Sequence, residues 1–230
     1  QLMTFYTATA KKDGFEAGIR QSLQALLTSL HFVFRVEETP AGVKPGAAYR
    51  ITDNDLASRL SFFLWGTLPD KELLDVAGRG GLVRPEMSEK QVRRMLDDPR
   101  ASALGTRFAS QWLRLQDLSK VEPDALSFPY FDESLAEAMS KETEMLFDYL
   151  VKEDRPALEL LTADYTFVNE RLARHYGIPG VSGPAFRKVS YPDETRRGIL
   201  GHGSVLTLTS HGNRTSPVLR GKWVMEVLLG

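Results

Sequence analysis

The 230-residue chain contains no cysteine, which excludes disulfides, thiolate catalysis, iron–sulfur ligation and covalent c-type haem attachment within these residues. The redox compartment stays open, because a secreted protein of this size does not require disulfides. An excess of either charge is also missing. With 29 basic and 30 acidic residues the net charge is −1, so the chain lacks the electrostatic footprint of a nucleic-acid binder. No apolar run approaches the ~20 residues needed to span a bilayer. The N-terminal stretch QLMTFYTATAKKDG has neither the basic start nor the apolar centre of a signal peptide, and it lacks an initiator methionine. The chain stops at a glycine, so both ends are expected to be cuts through a longer chain. Phosphate loops, HExxH and nucleophile elbows are absent as well. Gly201-His202-Gly203-Ser204 fails the elbow pattern because Leu206 stands where its last glycine belongs.

What is present is ordinary for a globular protein able to bury a core: 42% hydrophobic and 26% charged residues. Phe15, Ile19, Leu23, Leu26, Leu27, Leu30 and Phe34 recur at helical spacing and predict an amphipathic helix over residues 14–35. Two prolines and two glycines make residues 39–48 a linker. Thr52 with Asp55 opens the next helix in a capping-box arrangement with Asp in place of the usual Glu. A short helix follows Pro69, and Ser88 with Gln91 signals another that Asp98-Pro99 ends. Leu104, Phe108, Trp112 and Leu115 mark a further helix. Residues 131–152 predict the longest, with Leu135, Met139, Leu146 and Leu150 on one face. Short helices fit PALELL and NERLARHY, the second stopped by Gly177. FRKVSY reads as a strand, and ILGHGSVLTLTS leans to helix. The expectation is a mainly α, multi-helix orthogonal bundle with at most a small β element near residues 185–192. The expected organisation is an N-terminal helical domain (1–40), a central helical domain (41–180) and the truncated start of a C-terminal domain (181–230).

Several blocks in order carry a family resemblance: LSFFLWGTLPDKELL, QVRRMLDDPRA, FASQWLRLQDL, DYTFVNERLARHYGIPGV and RRGILGHGSVLTLTSHGNRTSPVLRGKWVMEVLLG. Together they resemble the planctomycete-type, cytochrome c-associated multidomain proteins, which are built from consecutive domains of unknown function. The segment FEAGIRQSLQALLTSLHFVFRVE is similar to the domain that precedes these. The resemblance implies export to the periplasm or beyond, a c-type haem elsewhere in the parent protein, and a haem-bearing domain or partner subunit. It implies no catalytic residue. One departure is Ser29-Leu30-His31-Phe32, where the family typically reads Ser-Pro-Arg-Phe; the change removes a helix-interrupting proline and an arginine.

Two constellations carry chemistry. The turn Asn213-Arg214-Thr215-Ser216-Pro217 precedes a helix start, with Ser216 at the N-cap and Pro217 at the first position. Unpaired amides there, with Arg214, Arg220 and Lys222 nearby, make an anion-site candidate that includes Thr215 and Ser216. Alternatively Ser216 merely caps the helix and the arginines pair with acids of the chain itself. The second constellation is a buried polar cluster, Arg59, Arg107, Gln111 and Glu142, each at a core-facing position by helix geometry. Glu142 lies on the apolar stripe of the longest helix and needs a partner there, expected to be Arg59 or Arg107. His202 and His211 flank an apolar run as weak haem-ligand candidates, but their spacing matches no standard metal motif, and no metal site is expected.

These readings favour an accessory or scaffold module of an exported haem-associated protein, supporting electron transfer or assembly. The alternatives are an exported oxidative or hydrolytic enzyme working at the Arg214–Lys222 anion site, and a structural subunit of a large membrane-associated complex.

Overall fold

The computed structural model describes residues 2–34, 36–37 and 39–230. They divide into two compact units, Gln1–Asp55 and Leu56–Gly230. In the first, α1 (Leu2–Asp13) and α2 (Phe15–Leu27) form a hairpin, followed by the single turn α3 (Leu30–Val33). Gly14 makes the reversal, with a φ of 87° in the left-handed region that side chains avoid. Gly18 sets the approach of the helices, since a Cβ there would meet Ala10 Cβ at 2.8 Å and the Tyr6 ring at 2.9 Å. The helix expected over 14–35 is therefore broken after Leu27. Ser29 is extended and caps α3 by accepting from the Phe32 amide at 3.2 Å. Its hydroxyl competes for backbone amides and interrupts the helix without the family's proline. The expected last residue, Arg35, lies outside the described residues. Residues 39–48 hold only turns and irregular backbone, in keeping with linker composition.

Helix α4 (Asp53–Leu64) starts at the end of the first unit and runs on into the second, where α5 (Lys71–Gly78) and α6 (Pro85–Asp97) follow. Thr52 Oγ1 accepts from the Asp55 amide at 3.1 Å and donates to Asp55 Oδ2 at 2.6 Å. The Thr52 hydroxyl and the Asp55 carboxylate thus close on each other, a variant of the box that the shorter Asp side chain permits. Asp70 caps α5 through the Leu73 amide. α6 begins earlier than the Ser88–Gln91 signal predicts, because Pro85 at the first position has no amide to satisfy. These helices share a core of Ala57, Leu64, Trp65, Leu73 and Met95. The Trp65 indole donates to the Met95 carbonyl at 2.8 Å.

The single helix marked by Leu104, Phe108, Trp112 and Leu115 is instead a π-helical stretch (Leu104–Ala109), the short α7 (Ser110–Trp112) and a 3-10 turn (Leu115–Lys120). Two local features accompany the break. The Gly105 amide donates to Asp148 Oδ1 at 3.1 Å, and Arg114 takes a left-handed φ of 57°.

Next comes α8 (Glu133–Lys152), capped by Asp132 through the Leu135 amide at 2.8 Å. It is the organising helix. Leu146 and Leu150 join a core with Ile199, Val205 and Trp223. Leu135 and Met139 join another with Val168 and Leu172, and Phe147 packs on the first core. Each such leucine contributes about 1.5–3 kcal/mol by leaving water.

Around α8 stand α9 (Glu159–Thr162), β1 (Tyr165–Val168), α10 (Glu170–Tyr176) and β2 (Arg187–Ser190). Asn169 caps α10, and Gly177 ends it at a φ of 71°. β1 and β2 pair antiparallel, with Tyr165 opposite Ser190 and Val168 opposite Arg187. β2 falls in the expected β region, whereas β1 lies in a stretch that the pattern leaves unassigned. All four of its residues are buried, and a strand covered on both faces shows no alternation. A 3-10 turn (Ile199–Gly201) leads into α11 (Gly203–Leu208), making this run helical as expected. The hairpin of β3 (Ser210–His211) and β4 (Arg214–Thr215) then feeds α12 (Pro217–Trp223), which continues as a π-helical turn. The fold is mainly α with two two-stranded sheets among the described residues. The segment 181–230 packs into the same unit as 56–180, because Ile199, Val205, Trp223 and Val227 share a core with Leu113 and Tyr165. No helix of the described residues is long and apolar enough to cross a membrane.

Candidate functional site

Glu142 lies where the apolar stripe of α8 places it, with no exposed surface. Its partners are hydroxyls and an imidazole. Thr166 on β1 donates to Oε1 at 2.5 Å, and Tyr176 at the end of α10 donates to Oε2 at 2.6 Å. Tyr191, just past β2, adds a long 3.4 Å contact to Oε1. His202 Nε2 stands 3.9 Å from Oε1, beyond hydrogen-bond reach but close enough to feel its charge. The network continues on the other side of the imidazole. Thr143 Oγ1 is 2.8 Å from His202 Nδ1 and 2.8 Å from Ser204 Oγ, and the Gly203 amide donates to the Tyr176 hydroxyl oxygen at 2.6 Å.

The arginines expected beside Glu142 are elsewhere. Arg59, Arg107 and Gln111 are exposed, whereas Glu142 is fully buried. α4 buries Ala57, Ser61 and Leu64, and two residues on from Ala57 the helix has turned by about 200°, which carries Arg59 to the outer face. Arg107 donates to the Gly66 carbonyl at 2.5 Å instead. Of the expected cluster, only Glu142 is in the interior.

One proton arrangement satisfies most of the network. Ser204 donates to Thr143, Thr143 donates to His202 Nδ1, and the imidazole proton sits on Nε2 facing Glu142. Burial lowers the pKa of His202, and Arg196 adds to the effect while Glu142 opposes it. Burial also holds the phenols of Tyr176 and Tyr191 above their ordinary range, with Glu142 reinforcing the shift. Both tyrosines therefore stay protonated and remain donors.

A histidine whose folded pKa lies below its unfolded value of 6.5 gives stability that is present above that pH and lost as pH falls through the folded pKa. Wild-type unfolding free energy should therefore decline on acidification below pH 6.5, by at most about 1.4 kcal/mol per pH unit for one proton. His175 is lowered in the same sense, by burial first, so the variant His202→Gln isolates the contribution. Denaturant titrations across pH should show the wild-type slope reduced in this variant. Equal slopes would mean that folding does not lower the His202 pKa.

The network is closed to substrates. Tyr176 and Tyr191, with Asp193 and Arg196, line a cleft of about 50 Å³. A water occupies about 30 Å³ of liquid, so this space suits one or two waters. Arg196 covers it, stacked 4.3 Å above the Tyr176 ring and donating to the Gly201 carbonyl at 3.0 Å.

The Arg214 region is more open. Ser216 caps α12 through the Leu219 amide at 3.3 Å, as its sequence position predicts. Lys222 lies 3.7 Å from Glu226 in the next turn. Arg214 and Thr215 line a separate cavity of about 210 Å³, which Arg220 and Lys222 do not line. Phe128, Tyr130 and Phe131 form its wall, and Met139 and Leu206 form its floor. That floor separates the cavity from the Glu142 network: Met139 is one helical turn from Thr143, and a Cβ on Gly203 would meet Met139 Cε at 2.9 Å.

His202 and His211 do not converge. His202 precedes α11 and His211 follows it on β3, so six residues of helix hold them apart by about 9 Å. A Cβ on Gly203 would also meet the Tyr176 hydroxyl at 2.8 Å, which leaves no room for a macrocycle beside His202. These residues do not fit a haem. Among the described residues no group of three His, Cys, Asp or Glu could hold a metal ion.

The functional residues that sequence reasoning misses are Thr143, Thr166, Tyr176, Tyr191 and Ser204. Each is remote in sequence from most of its partners, and only Tyr176, directly before the Gly177 helix stop, carries a positional signal.

Residues 51–178 match the family model described as PSD4, a protein of unknown function (DUF1592). Residues 196–230 match the model described as PSCyt3, also a protein of unknown function (DUF1588). No curated protein and no solved structure matches the chain. Glu142, Thr143, Thr166 and Tyr176 come from the first matched region, and His202 and Ser204 come from the second.

Proposed function

Because this chain belongs to the DUF1592 family, whose model covers more than half of it, we propose that it is a non-catalytic structural module of a cytochrome c-associated multidomain protein. In this reading it holds a haem-bearing domain or partner subunit in place for electron transfer or assembly, and the parent protein is exported. The observation that carries the reading is the sealed network. It joins α8, β1, α10, the segment after β2 and the start of α11 in one buried cluster, and so locks the two family-matched regions together. Buried polar clusters of this kind favour one arrangement of the chain, and here the Glu142 carboxyl and the hydroxyls around it are paired while His202 Nε2 has no hydrogen-bond partner. The buried Glu142–His202 pair has only a water-sized approach, which suits architecture better than acid–base chemistry.

The test is a reduced-minus-oxidised absorption spectrum of the intact native protein, with its mass compared with its complete sequence. A c-type α band with the matching mass increment is the expected result. A folded, haem-free protein that co-purifies with no cytochrome would overturn the reading.

An enzyme acting on an anion at Arg214 is the second reading, and the cavity beside Arg214 is the observation in its favour. Among the described residues, however, no hydrogen bond pairs His175 or His211 with a hydroxyl or a carboxylate. The cavity thus offers groups that bind, without an assembled nucleophile and base.

A further inference from the structure

We propose that the open cavity bordered by α8, α10, α11, the β3–β4 hairpin and residues 121–131 binds a small carboxylate with an aromatic, single-ring body. Size sets the first limit. At about 210 Å³ the cavity falls below the ~300 Å³ at which pockets for drug-sized ligands begin, so it takes one ring and a short arm. The wall selects the body: Phe128 and Tyr130 line the cavity and are 37% and 56% exposed, which leaves aromatic surface that a flat apolar group would cover.

Charge selects the head group. Among the described residues no acidic side chain lines the cavity, and Arg214 is the one permanently charged side chain that does. Neighbouring cations are already engaged: Arg171 with Asp132, Arg174 with Glu170 and Lys222 with Glu226. Arg214, by contrast, forms no ion pair among the described residues, so its guanidinium is available for two-point recognition of a carboxylate. His175 adds a ring nitrogen at the same cavity without adding charge, because burial, with help from Arg196 and Arg171, lowers its pKa. His211 and Thr215 supply further donors at the rim. An open groove lies on the other side of Val121 and Phe131, where Glu122, Asp132, Glu133, Glu137 and Glu144 outweigh the single cation Lys141. It would repel the same ligand, which leaves the Arg214 cavity as the place where an anion is favoured.

The experiment titrates 3-phenylpropanoate into the whole chain by calorimetry, with 3-phenylpropanol and inorganic phosphate as companions. One saturable site is expected. Arg214→Gln should weaken it by about ten- to a hundredfold, and Arg214→Lys should recover part of the loss. The uncharged alcohol should bind as weakly to the wild type as the acid does to Arg214→Gln. Arg214 is exposed on a two-residue strand, so circular dichroism of the variants should match the wild type. Absence of saturable binding, equal affinity for the alcohol, or an unaffected Arg214→Gln would each overturn the assignment. Phosphate binding as tightly as the aromatic acid would also overturn it, since that result makes Arg214 a bare surface charge with no role for the cavity.

Discussion

The variant Glu142→Ala is expected to lose about 3–5 kcal/mol of unfolding free energy, from two stranded hydroxyls and the space left by the side chain. The estimate follows from the groups left behind. Thr166 and Tyr176 donate to this carboxyl at 2.5 and 2.6 Å from inside the protein, and each hydroxyl stripped of its acceptor costs about 1–3 kcal/mol. The space vacated by the side chain adds a further cost, because neighbouring groups relax only partly. These contributions overlap and do not simply add. For a chain of this length the loss corresponds to a fall in melting temperature of about 10 °C. Urea titrations give the free energy directly. A loss under about 1 kcal/mol would mean that water replaces the carboxyl and that the network does not hold the two family-matched regions together. Glu142→Gln sharpens the result. Its amide oxygen can still accept from one or two hydroxyls, but its amino group faces a donor, so an intermediate loss of about 1–2 kcal/mol is expected.

The burial of Glu142 was legible because helical periodicity needs only local spacing. Leu135, Met139 and Leu146 set the stripe, and Glu142 falls on it. Its partners were not legible. Thr166, Tyr191 and His202 come from separate elements, and their meeting depends on a β1–β2 pair whose first strand carries no alternation. Arginine was the expected partner on the general ground that a buried carboxyl needs compensation. Several hydroxyls meet the same need without bringing a second charge out of water. A similar limit applies to Arg59. Its neighbours Leu56 and Leu60 suggest a core-facing position, but the buried face of α4 centres on Ala57, Ser61 and Leu64. Local signals succeeded where they involve nearby residues: Thr52 with Asp55 opens α4, Gly177 ends α10 and Ser216 caps α12. The Arg214 cavity lies between these cases. The turn and its cap were readable, but the aromatic wall from residues 128–131 is a product of the tertiary fold.

The glycine-spaced run that begins the second family-matched region leads to the other large effect. Gly198→Ala is expected to cost about 4 kcal/mol or more, a large fraction of the roughly 5–15 kcal/mol of an ordinary domain. Two independent causes act at this residue. Its backbone, at φ 62° and ψ −175°, lies in a region that is essentially closed to residues with a side chain, at a strain of about 1–3 kcal/mol. Moreover, a Cβ there would fall directly on the Leu161 backbone at the end of α9. That backbone has little freedom to yield, because the Gly198 amide donates to the Ala163 carbonyl at 3.0 Å just beyond it. Moving α9 away would break this bond and disturb Tyr165 and Ile199, which share a core. Gly221 provides the internal control. It lies within α12, its φ is not positive, and nothing stands within 4 Å of where its Cβ would be. There the methyl only restricts the unfolded chain and improves helix propensity, so Gly221→Ala should gain about 0.5–1 kcal/mol. Thermal melts of the two variants should therefore move in opposite directions. If Gly198→Ala melts within a few degrees of the wild type, the close contact between α9 and the 198–201 turn is not what fixes α11, and the glycines of this run must be explained by something other than packing.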